Sequence, residues 1–247
     1  MEDIVKKLPI LIDPCPIEEA IFEIRFSSKI PSEAIFGILY GSIGDFFEKE
    51  PKPLPILQLP EAIRRQDPNL RYQALHQFIK TGHTLNIGPD VLTFSTTNPY
   101  CGWKEWSAFF YGILKKFFST KIVNQVERLG LRYINRFDYN IFDKVKCEVT
   151  IIGQKLNNES TNLRTEIIDE GFTKVLQIGN SIAMLKDNKL INCSVVDIDI
   201  LYNIEDSPKF LKNYHEVVEK AHVKEKELFF SLLNKSFLEK FNPNYGD

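Results

Sequence analysis

Hydrophobic and polar side chains alternate or recur along most of the chain, and the periods predict a mixed fold. Residues 17–27 put Ala20, Phe22, Ile24 and Phe26 on one face and Glu19, Ile21, Glu23 and Arg25 on the other, the pattern of a half-buried strand. Asp13-Pro14-Cys15-Pro16 holds its approach extended. A helix is expected from Ser32, as N-cap, to about Phe47, with Ile35, Ile38, Leu39, Ile43, Phe46 and Phe47 apolar. Pro51, Pro53, Pro55 and Pro60 mark an extended connector over the surface. Strands are expected over 71–80, 84–87 and 91–96, separated by Thr81-Gly82 and Gly88-Pro89-Asp90. A second helix follows Gly102, with Trp103, Trp106, Phe109, Phe110, Ile113, Leu114, Phe117 and Phe118 at helical spacing; burial is the first use of such a stripe.

The strand over 126–140 alternates Leu129, Leu131, Tyr133, Asn135, Phe137 and Tyr139 against Arg128, Gly130, Arg132, Ile134, Arg136 and Asp138. Further strands are expected over 147–154, 164–168, 174–179 and 191–202, with turns at Asn157-Asn158, Glu170-Gly171 and Asp187-Asn188. Asp206-Ser207-Pro208 then caps a long helix running to about Lys240, roughly 50 Å, or two helices broken near Lys224-Glu225. Strands clustered between few helices predict an α+β fold, an antiparallel sheet packed by helices on one side and closed by the long C-terminal helix. The chain reads as one α+β domain over 1–247 with a subdomain seam near 125. Its order, β-α-β-β then α-β-β-β, is compatible with a diverged internal duplication.

Composition narrows the class without naming a reaction. The 247 residues are 43% hydrophobic and 26% charged, which argues against disorder or a disulfide scaffold. No apolar run approaches a membrane span, and residues 1–9 are charged and proline-ended, unlike a secretion signal; a cytoplasmic protein without membrane insertion is expected. Cys15, Cys101, Cys147 and Cys193 are far apart, without C-x-x-C, and read as reduced structural thiols. His76, His83, His215 and His222 read as surface or interface residues, so no metal or other cofactor is expected. Net charge is −2, yet residues 60–136 carry 11 basic and 5 acidic side chains between two acidic flanks. Such a centre either binds an anion or is neutralised on folding.

Three stretches carry a resemblance: residues 17–26, Tyr100-Cys101-Gly102-Trp103 and residues 128–136. They resemble a sporadically distributed family of prokaryotic proteins with E-A-x-x-E-I-R-F, aromatic-x-Gly-Trp and R-x-x-x-R-Y-I-N, matched in order along the chain. Cys15 and Cys101 stand near positions where that pattern has proline. The resemblance implies a single α+β domain and the patchy distribution of defence modules; it implies no reaction and no ligand.

Arg128, Arg132 and Arg136 share a strand face at intervals of about 13 Å and would track a phosphate backbone, with Arg64, Arg65, Arg71, Lys115, Lys116 and Lys121 adding charge. The competing use of the row is a carboxylate ladder with Glu19, Glu23, Asp197 and Asp199. Asp197 and Asp199 also share a face that suits Mg²⁺, though no base or further ligand accompanies them. No phosphate loop, dinucleotide fingerprint or nucleophile elbow is present. The expected role is a non-catalytic accessory subunit of a heteromeric prokaryotic complex in antiviral defence, for example beside an Argonaute-like nuclease. Its expected partners are a protein encoded nearby and, in contact with it, nucleic acid. The alternative is a small-molecule sensor whose pocket, between the sheet and the C-terminal helix, is lined by Trp103, Trp106, Tyr133 and Tyr139.

Overall fold

The computed structural model describes residues 7–156, 160–186 and 189–246. The expected turns at Asn157-Asn158 and Asp187-Asn188 lie outside the described residues, as do residues 1–6. In chain order the elements are β1 (Ile17–Ser28), α1 (Ser32–Ile43), β2 (Lys52–Pro53), α2 (Glu61–Gln66), α3 (Pro68–Arg71), β3 (His76–Lys80), β4 (His83–Ile87), β5 (Val91–Thr97) and α4 (Trp103–Ser119). They continue with β6 (Val123–Phe137), β7 (Val149–Ile151), β8 (Gln154–Leu156), β9 (Thr161–Asp169), β10 (Phe172–Lys186), β11 (Lys189–Asn203), α5 (Ser207–Leu232) and α6 (Lys235–Leu238). The fold is α+β. Nine strands form one antiparallel sheet in the order β2-β3-β4-β5-β1-β6-β11-β10-β9, and β7-β8 is a separate hairpin.

The strand order repeats. β1 is followed by the meander β3-β4-β5, whose last strand returns beside β1; β6 is followed by β9-β10-β11, whose last strand returns beside β6. A helix, α4 or α5, follows each meander. Two-residue turns close the tightest hairpins: Lys80 pairs with His83 around Thr81-Gly82, and Asp169 with Phe172 around Glu170-Gly171. Gly82 and Gly171 take positive φ of 78° and 82°, which glycine adopts without cost.

The chain divides into two compact units. One comprises the described residues of Met1–Glu18, Arg132–Ile200 and Lys220–Asp247; the other comprises Glu19–Leu131 and Leu201–Glu219. In the second unit the register sets Phe78 opposite Leu85, Leu85 opposite Phe94 and Phe94 opposite Phe22, an apolar row across four strands that is fully buried. α4 covers it. Phe110 stacks on Phe22 with centroids 4.5 Å apart, Phe117 meets Phe26 edge-on at 5.0 Å, and Trp106, Ile113 and Leu114 are buried with them. The opposite face is polar, with Gln77, Asn86, Thr93 and Glu23 in successive register. In the first unit Tyr133 and Phe137 are buried beneath α5 and α6: Phe137 packs against Phe237, and the Tyr133 hydroxyl lies 3.4 Å from His222 Nδ1. Asn135, buried on the same strand face, donates from Nδ2 to the Val196 carbonyl at 3.2 Å. β9 is the outer strand of the sheet, and its Ile168 is 81% exposed.

Several expectations are revised. Pro31, not Ser32, occupies the N-cap of α1, and the Ser32 hydroxyl is used elsewhere. The proline-rich connector is extended only in part: Lys52 and Pro53 pair with Gln77 and His76, and a 3₁₀ turn follows over Pro55–Gln58. Proline has no N–H to donate, and the sheet edge tolerates that. Residues 61–71 contain two short helices, of which the second is capped by Asp67 accepting from the Asn69 N–H at 2.8 Å. The C-terminal helix departs from helical geometry at Asn213 rather than near Lys224-Glu225, and ends at Leu232. His83 is buried, at 8% exposure, rather than a surface residue.

Candidate binding surfaces

The arginine row is built by the alternation of β6 and consumed by carboxylates from distant chain positions. Arg128 Nη2 donates to Glu23 at 2.7 Å. Arg132 makes a two-pronged contact with Asp197, Nε to Oδ1 at 2.8 Å and Nη2 to Oδ2 at 2.6 Å. Arg136 donates to Glu18 at 2.9 Å and also to Asp138. Planar guanidinium–carboxylate pairing of this kind is directional and holds both partners in place. Asp197, 7% exposed, is thereby committed to Arg132, which leaves Asp197-Ile198-Asp199 poorly placed to hold Mg²⁺.

The other sequence-predicted residues fall in separate places. Arg71 approaches Glu127 at 3.4 Å and Asp90 at 3.7 Å, and with Arg25 it flanks the Tyr72 ring, at 4.9 and 4.2 Å from its centroid. The Tyr72 hydroxyl donates to Glu127 at 2.8 Å. Arg65 and Ser32 both bond Glu61, at 2.5 and 2.6 Å; the Ser32 hydroxyl, then Arg65, holds the Glu61 carboxyl down to about 2. Arg64 donates to the Leu59 carbonyl at 2.9 Å. Lys115, Lys116 and Lys121 form no ion pair among the described residues, and Lys116 Nζ lies over Phe46 at 5.0 Å. Of the four aromatic residues, Trp106 and Tyr133 are packed in the interior, Trp103 donates its Nε1–H to Glu219 at 3.0 Å, and Tyr139 is 45% exposed against Phe237. Trp103 and Trp106 belong to one unit, Tyr133 and Tyr139 to the other.

The second unit carries a cleft that the sequence reading missed. Its volume is about 400 Å³, and Phe36, Leu57, Leu59, Leu75, Ile87 and Pro89 supply an apolar lining. α1 presents Phe36, stacked on the His76 ring with centroids 3.7 Å apart, and the 3₁₀ turn after β2 presents Leu57. Burial holds the His76 imidazole below its ordinary pKa, so it is neutral at physiological pH. Glu61 and Arg64 reach the cleft from α2, and Ile63, on the same helix, is 49% exposed. The signal was present in Leu54, Ile56, Leu57 and Leu59, apolar residues alternating with prolines in a segment that a bare linker would keep polar.

One group in the same unit has metal-ligating chemistry: a ring nitrogen of His83, Sγ of Cys101 and a carboxylate oxygen of Glu105 lie within 4.8 Å of one another. No helix among the described residues is long and apolar enough to cross a membrane. Compared with known protein families and with curated proteins, the chain matches none.

Proposed function

We propose that this chain is a non-catalytic binding subunit that captures an apolar segment of a protein partner in the α1 cleft, within a heteromeric complex whose setting, antiviral defence, follows from the patchy distribution that the family resemblance implies. The observation that carries this reading is the cleft itself. A cleft of about 400 Å³ with apolar side chains in its wall stands open beside exposed Ile63, Leu57 and Leu59, where a monomer gains nothing from leaving aliphatic side chains in water. Polar groups at its margin, Glu61 and Arg64, are held by neighbours and would fix the direction of a docked segment. The state of the arginine row favours protein over nucleic acid as the principal partner, because each of the three guanidinium groups already faces a carboxylate.

The test is co-expression with the products of neighbouring genes followed by affinity purification of this chain. A partner retained by the wild type and lost by Leu57→Asp and Ile63→Asp is expected, with both variants keeping the wild-type circular dichroism. A partner retained equally by all three overturns the cleft as the docking site. Oligonucleotide binding measured at low and moderate salt separates the nucleic-acid reading: if the lysines at the end of α4 are the only free cations used, log K falls with log salt at a slope of about −3 or shallower. The same cleft is large enough for a small ligand, and a ligand-induced rise in melting temperature, abolished by Leu57→Asp, would favour a small-molecule sensor at this cleft rather than at the pocket expected between the sheet and the C-terminal helix.

A further inference from the structure

We propose that His83, Cys101 and Glu105 form a binding site for one borderline divalent cation of the zinc class, with a fourth position open to an adjacent cleft. The three residues come together through the fold. His83 opens β4 on the helix-covered face of the sheet, in register with Lys80 and Thr96, and Thr96 pairs in turn with Ala20. Alanine and threonine leave room above that row where Phe22, Phe78 and Phe94 fill the next one. Cys101 and Glu105 enter the space from the turn before α4 and from its first helical turn. Gly102 between them takes φ +91°, a backbone that an L side chain rarely adopts, and so turns the chain from Cys101 into the helix.

Two observations point to a cation. His83 is more than nine-tenths buried, and its Nδ1 has no hydrogen-bond partner, a state that costs about 1–3 kcal/mol unless something fills it. A His83 ring nitrogen, the Cys101 sulfur and a Glu105 carboxylate oxygen also lie within 4.8 Å of one another. One nitrogen, one sulfur and one oxygen form a donor set of borderline softness that suits zinc(II) rather than magnesium or calcium. In a tetrahedral zinc site donors lie about 3.3–3.8 Å apart, so closure from 4.8 Å needs a shift of about an ångström, within reach of the exposed Glu105 side chain.

The fourth position faces a cleft of about 340 Å³ lined by Phe46, Lys80, Thr81, Ala108 and Phe109, with His83 and Glu105 in its wall. The Lys80 ammonium repels a bare dication and attracts an anion, so the preferred state carries an anionic fourth ligand. Metal binding displaces the Cys101 thiol proton to solvent and leaves a metal–thiolate bond.

Cobalt(II) titration of the reduced, metal-free full chain tests the site, because cobalt reports thiolate ligation by an intense near-ultraviolet charge-transfer band. The expected result is one equivalent bound with that band, reversed by zinc(II), retained when Cys15, Cys147 and Cys193 are all serine, and lost in Cys101→Ser. Glu105→Gln, an exposed position that leaves the fold intact, is expected to weaken cobalt affinity about tenfold or more. Absence of stoichiometric binding by the folded wild type overturns the site, as does a band that survives Cys101→Ser. Affinity unchanged in Glu105→Gln overturns the three-ligand assignment.

Discussion

His222, Lys224 and Glu225 lie almost side by side on α5, and burial treats each differently. Lys224 keeps its charge company: Asp169 and Glu170 each accept from its ammonium at 2.9 Å. Burial pushes the Glu225 carboxyl up to about 8, with Lys226 drawing it only part of the way back. Burial also takes His222 down to about 3, and Lys226 adds to that fall. The signs follow from linkage. Between about pH 4.5 and 8 the unfolded chain ionises Glu225 while the folded chain keeps the proton, so stability declines as pH rises. Between about pH 6.5 and 3 the unfolded chain protonates His222 while the folded chain does not, so stability declines as pH falls. The two slopes oppose each other from about 4.5 to 6.5, and the pair's contribution is flat there. Urea midpoints measured from pH 4 to 8.5 are expected to lose their alkaline decline in Glu225→Gln and keep it in His222→Gln. An alkaline decline of wild-type steepness in Glu225→Gln would contradict this account.

Among the elements, α4 is the most legible in sequence and among the most deeply seated in the fold. Its aromatic residues recur at helical spacing, and of that stripe Trp106, Phe110, Ile113, Leu114 and Phe117 are buried while Trp103, Phe109 and Phe118 stay half-buried. Phe110→Ala removes a ring stacked on Phe22 and is expected to lower stability by about 3–5 kcal/mol, read as a shift of the denaturant midpoint without a change of slope. β1 and β6 were equally legible, because a period of two fixes which face is buried. What alternation does not contain is the identity of partners across strands. Arg128, Arg132 and Arg136 were visible as a row, but Glu23, Asp197 and Glu18 reach them only through pairings that span many residues. α2 and α3 were missed because six- and four-residue helices are too short to display an apolar period, although the Asp67-Pro68 cap was there to be read. The shift of the break in α5 to Asn213 was not legible either: neither proline nor glycine stands there. His83 was misjudged because its burial depends on α4 lying over the start of β4, which no local pattern around a hairpin reveals.

At the scale of the whole chain, part of the excess of positive charge in residues 60–136 is answered by the flanks. Arg128 meets Glu23, Arg132 meets Asp197 and Arg136 meets Glu18, each pair joining the basic centre to an acidic flank. The repeated order of strand, three-stranded meander and helix gives the two halves a common plan that residue patterns only hinted at, since α1 and the β7-β8 hairpin occupy the corresponding interval with unrelated structure. The same order leaves β9 outermost, with backbone groups along one side that no described strand pairs. Arg164 and Glu166 straddle Thr165, so a second chain laid antiparallel about that residue would match each charge with its opposite and bring Leu163 against Ile167. Concentrated samples are therefore expected to form a two-fold dimer through this edge, read as a doubled mass by light scattering, and Ile168→Lys, which puts a gatekeeping charge on the rim, should keep them monomeric; the same dimer population in that variant would acquit this strand.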